Sequence, residues 1–110
     1  MTTVRIWKSN EDNCYKAFEY YGHAGYARHG KDIVCAALSI LAFTTIESLE
    51  KLGGDKISYD SDEKIGLIRC TFCDKPSDAS NILIDSMIIG LRQIQEQYGN
   101  KFIEIIFEEV

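Results

Sequence analysis

A chain of 110 residues, 45% of them apolar, describes one globular domain over residues 1–110 with a single core and no need of cross-links. Its net charge of −5 excludes a broad nucleic-acid-binding face, which needs basic patches, and suits a basic polypeptide partner. The longest uncharged run, Ile33 to Ile46, is too short to cross a bilayer, and Met1 to Arg5 lacks the apolar centre of a signal peptide, so a cytoplasmic protein with no membrane partner is expected.

Val4 to Lys8 alternates apolar and polar residues, as a half-buried strand does. Ser9 to Asn13 is a polar turn, and Cys14 to Tyr21 reads as a second strand paired with the first in a hairpin. Gly22, Gly25 and Gly30 bracket a loop whose large side chains are Tyr26, Arg28 and His29. Asp32 is a good N-cap for a helix running to about Leu52, where Gly53-Gly54 stops it. That helix is apolar on nearly every side, which predicts a place at the centre of the domain or in an oligomer interface. Lys56 to Tyr59 and Ile65 to Phe72 read as strands around a turn at Asp60-Ser61-Asp62-Glu63. Ser77 or Asp78 caps a second helix ending at Gly99-Asn100, with Ile84, Met87, Ile88, Leu91, Ile94 and Tyr98 on its core-facing stripe. Phe102 to Phe107 is the last strand. The order ββαββαβ predicts an α+β domain, two helices packed on a mostly antiparallel five-stranded sheet.

The chemistry concentrates between Gly22 and Ser39. His23 ends a strand, and Cys35 falls in the first turn of a helix, twelve positions later. A thiol there feels the positive end of the helix macrodipole, which favours thiolate, and an imidazolium beside it adds to the effect. Alone, His23 reads as a surface hydrogen-bonding group and Cys35 as a buried core thiol. Together they name a base and a nucleophile, and acyl transfer by cysteine follows. Asp32 has two roles open to it: capping the helix, or orienting His23 as the third member of a triad. Its charge would raise the thiol pKa if it lay close. Ser39, one turn beyond Cys35, would bond the sulfur or His23, or bond back to the helix carbonyl of Cys35. The Val34 and Cys35 amides, unpaired in a first turn, are candidate oxyanion donors.

Gly22-His23-Ala24 followed by Gly30-x-Asp32-Ile33-Val34-Cys35-Ala36-Ala37-x-Ser39 resembles the signature of the ribosomal-processing cysteine proteases (Prp). The resemblance implies a small homodimeric α/β endopeptidase that removes the N-terminal extension of a large-subunit ribosomal protein, with His23 and Cys35 as its catalytic dyad and no cofactor. Gly22, Asp32 and Ser39 would then support the dyad, and Gly25, Tyr26, Arg28, His29 and Gly30 would form a substrate loop, expected to be mobile. Without the chemistry, the same fold would serve as a ribosome-assembly binding protein; with Cys35 as an oxidisable thiol, as a redox sensor. Neither alternative uses His23. Cys70-x-x-Cys73 invites a metal or redox reading, but zinc wants two further ligands at usable spacing and none is present, so no metal is expected.

Overall fold

Alternation in the first segment puts Val4 and Ile6 on one face, and both are fully buried in the computed structural model, which describes residues 1–110. This strand, β1 (Thr2–Lys8), lies antiparallel to β2 (Tyr15–Tyr21), with Ile6 opposite Phe18 and Val4 opposite Tyr20. The chain then forms α1 (Ile33–Ser48), which closes in a wider π-helical turn over Leu49–Gly53. The hairpin β3 (Ile57–Asp62) and β4 (Leu67–Phe72) follows, then α2 (Asp78–Tyr98) and β5 (Ile103–Glu109). The sheet order is β3-β4-β2-β1-β5. Every pairing is antiparallel except that of β1 with β5, so the sheet is mixed and mostly antiparallel, as expected.

The core lies between the sheet and the helices. Val34, Leu38, Ala42, Ile46 and Leu49 form a buried stripe along α1 and its π-turn, and Ile84, Met87 and Leu91 form one along α2. Met87 is therefore packing. Fully burying such side chains is worth about 1.5–3 kcal/mol each, which makes these stripes the main tie between layers. With its π-turn, the Ile33–Gly53 helix is 21 residues long and holds an 18-residue stretch of mean hydropathy 1.7, long and apolar enough to cross a membrane by length and composition alone. The helix ends at Gly53, close to the expected end near Leu52, and so extends beyond the uncharged run that stops at Ile46. Its buried stripe packs in the core of this domain, while Ile40 (67% exposed) and Phe43 (42%) face outward, so it is only partly central.

Two boundaries matter for the site. Strand β3 continues through Asp62 rather than ending at Tyr59, because Asp60 pairs with Arg69 and Asp62 with Leu67. The turn is thereby moved from 60–63 to Glu63–Gly66. Asp62 Oδ1 accepts the Lys64 amide at 3.0 Å, an Asx turn, and Gly66 takes φ +66°, a left-handed value suited to glycine.

Candidate active site

Cys35 sits where the sequence puts it, the third residue of α1. Asp32 caps the helix: its Oδ1 accepts the amides of Val34 (3.0 Å) and Cys35 (2.9 Å). Its Oδ2 accepts those of Tyr26 (2.9 Å) and Ala27 (3.2 Å), so one carboxylate fixes both the helix start and the loop before it. Burial pushes the Asp32 carboxyl up, but these amide bonds outweigh it and hold it below the usual carboxylate range. Capping is its role; with four amides on it, the carboxylate makes no bond to His23. The same bonds correct the oxyanion expectation, because the Val34 and Cys35 amides are already committed to Asp32.

The sulfur of Cys35 accepts the Ala24 amide at 3.2 Å. Its thiol is nonetheless raised above the ordinary value, by burial first and then by the Asp32 carboxylate, against the lowering pull of the Ala24 and Gly25 amides. The expected depression at a helix start is thus reversed. A macrodipole end carries about half an elementary charge, while the capping carboxylate on the same turn carries a full one of opposite sign.

His23 is delivered by the end of β2 through Gly22, whose φ is +91° and whose carbonyl accepts the Thr2 hydroxyl at 2.8 Å. Its Nε2 lies 3.0 Å from the Lys64 carbonyl oxygen, and its ring stacks edge-on against His29 at 5.8 Å. His23 and Cys35 line one cleft of about 1160 Å³, but no hydrogen bond joins them in this state. The start of α1 forms one wall of the cleft with Cys35, Ser39 and Phe43; the β3–β4 turn forms the other with Asp62, Glu63 and Lys64. Buried Tyr20 and Leu38 lie beneath, with Ile68 beside them. Ser39 makes none of the three bonds considered for it; its place is on the cleft wall, one turn past Cys35.

The loop is more firmly held than its glycines suggest. Tyr26 packs edge-on against Tyr98 (5.5 Å) and Phe102 (5.2 Å), and the Lys31 amide donates to the Arg28 carbonyl at 2.9 Å. His29 approaches Glu63 across the cleft mouth at 3.8 Å, both side chains exposed. Gly25 and Gly30 mark the loop's two ends with φ values of +77° and +85°.

The β3–β4 turn, a wall of the site, is not among the residues that the sequence singles out. The signal was present in Asp62-Glu63-Lys64-Ile65-Gly66, an Asx residue four positions before a glycine. Of the remaining thiols, Cys70 is buried in β4 and pushed up to about 12, chiefly by burial, while Cys73 is exposed. A thiol so reluctant to ionise makes a poor redox partner for Cys73.

A family model described as "Cysteine protease Prp" matches residues 1–103. The ribosomal processing cysteine protease Prp of Bacillus subtilis is 28% identical over 95 residues, covering 83% of this chain and 85% of the relative. That of Mycoplasma genitalium is 30% identical over 82 residues, covering 74% and 79%. The crystal structure of the Staphylococcus aureus ribosomal processing protease Prp with a covalently linked product peptide has a TM-score of 0.88 and 26% identity, covering 98% of this chain and all of that one.

Proposed function

The chain belongs to the cysteine protease Prp family, and on that premise we propose that Cys35 and His23 are the catalytic pair of an endopeptidase that removes the N-terminal extension of a large-subunit ribosomal protein. Cysteine peptidase activity comes with the family, which leaves the binding-protein and redox-sensor readings without support. The observation that carries the assignment is a half-buried thiol in the first turn of α1, sharing one cleft with His23.

In this reading His23 takes the Cys35 proton, and the thiolate attacks the scissile carbonyl to form a tetrahedral adduct. His23 then protonates the leaving amine, and water hydrolyses the thioester. The Ala24 amide is our candidate for stabilising the oxyanion: it bonds the sulfur in the free protein, and is released from it when the sulfur bonds to carbon and becomes a weaker acceptor. A raised thiol suits a resting enzyme that ionises Cys35 only once His23 is brought to it. Bringing the pair together with the loop in place would complete the site when peptide is present, which restrains a cytoplasmic protease. Substrate fits by charge as well: a net −5 domain with Asp62 and Glu63 on the cleft wall complements a basic ribosomal polypeptide.

Incubating the protein with a peptide spanning such an extension tests the assignment. Cys35→Ala and His23→Ala should each abolish cleavage while the melting temperature stays near that of the parent, since both side chains sit at element ends. Substantial turnover by Cys35→Ala would place the nucleophile elsewhere.

A further inference from the structure

A catalytic histidine uses one ring nitrogen as the base, and the other must be held for the ring to have a defined tautomer and orientation. Here the held nitrogen is Nε2, 3.0 Å from the Lys64 carbonyl oxygen. A carbonyl only accepts, so Nε2 carries a proton, and in the neutral ring Nδ1 keeps the lone pair. We propose that the β3–β4 turn is a positioning element of the protease: the Lys64 main-chain carbonyl holds His23 as the Nε2–H tautomer with Nδ1 free to take the Cys35 proton, and Asp62 and Gly66 are the positioning residues that put that carbonyl in place.

No carboxylate does this work. Asp32 is engaged by four amides, and Glu63 faces His29. The turn, by contrast, is built against the histidine. Asp62 Oδ1 accepts the Lys64 amide at 3.0 Å, so the residue carrying the carbonyl is itself tethered. The Gly22 amide donates to the Ile65 carbonyl at 3.3 Å, tying the turn to the residue before His23. A side chain at Gly66 would bring its Cβ within 2.8 Å of the Gly22 carbonyl carbon and 3.2 Å of the His23 amide nitrogen. Any Cβ there would clash with that backbone, and a φ of +66° is one that L side chains rarely adopt.

The role is the one an asparagine side-chain carbonyl fills in Cys-His-Asn proteases. When the Cys35 S–H proton passes to Nδ1, thiolate and imidazolium form, and the Nε2–H stays on the carbonyl, whose dipole meets part of the new positive charge. The imidazolium then gives the Nδ1 proton to the leaving amine as the C–N bond breaks. A neutral acceptor adds no second negative charge beside a thiol already raised by burial and by Asp32.

The inference rests on His23 being the base, and its test separates the two. Nitrogen NMR of the neutral histidine rings in the intact protein should show His23 protonated at Nε2. Asp62→Ala should lower kcat for peptide cleavage about tenfold, the size of one net hydrogen bond, with KM within about twofold. It should also mix the His23 tautomers. Asp62→Asn, which keeps the acceptor without the charge, should restore both, and Gly66→Ala should match or exceed the loss. An Nδ1–H tautomer in the parent, a parental kcat in Asp62→Ala, or a loss that Asp62→Asn does not repair would overturn the proposal. Cleavage surviving in His23→Ala would instead overturn the base assignment beneath it.

Discussion

At the scale of residues, Asp32 shows how far a sequence reading reaches. That an aspartate before a helical run caps it is local chemistry and was legible. That its second oxygen clamps Tyr26 and Ala27 depends on the path of the loop, which no spacing encodes. The thiol of Cys35 was misjudged for a similar reason. Helix-start stabilisation and carboxylate repulsion were both visible, but burial decides between them, and burial is a property of the fold. Asp32→Asn removes the charge while its Oδ1 still caps α1, so the pH at which Cys35 reacts with a small alkylating agent should fall. The amide nitrogen of that asparagine cannot accept from Tyr26 and Ala27, so stability should drop by about 1–3 kcal/mol. The parent's acid behaviour follows from the lowered Asp32 carboxyl. Its stabilising share is present above the unfolded value of about 3.9 and is lost as pH falls through the folded value beneath it. Asp32→Asn should lack that share of the acid loss. Alkylation and thermal melts across pH check both, and an unchanged or upward-shifted alkylation profile would contradict the account of the thiol.

Elements were legible where periodicity runs long, as in α1 and α2, and less so where a turn sets the boundary. The polar run Asp60 to Glu63 predicts the β3–β4 turn a few residues early, yet Asp60 and Asp62 stand on an exposed edge strand where charge is welcome. Putting the turn at Glu63–Gly66 is what carries Lys64 to His23. The glycines of the 25–30 loop predict mobility, and what they do not reveal is that Tyr26 packs on Tyr98 of α2 and on Phe102 just before β5. Each such aromatic pair is worth about 0.5–1.5 kcal/mol beyond burial. Tyr26→Ala should therefore cost about 1–3 kcal/mol in a denaturant melt and raise the alkylation rate of Cys35 severalfold as the loop loosens. A large loss of stability with no change in that rate would mean the loop does not shield the thiol.

For the whole molecule, the element order was readable, but the parallel pairing of β1 with β5 joins the two ends of the chain, and only the assembled sheet shows it. The outward apolar side chains Ile40 on α1 and Ile82 and Ile89 on α2, each more than 60% exposed, are where the homodimer that the family resemblance implies can be tested. Sedimentation should give twice the monomer mass, and Ile40→Glu should move it towards the monomer; a monomeric parent would exclude the dimer. The central claim is that this domain cleaves peptides through Cys35 activated by His23. Its most direct test is to trap the intact protein with a peptide carrying an electrophile in place of the scissile bond and to map the adduct by mass spectrometry. A single adduct on Cys35, formed far more slowly in His23→Ala, is the predicted result; an adduct on Cys14, Cys70 or Cys73, or one indifferent to His23, would contradict it.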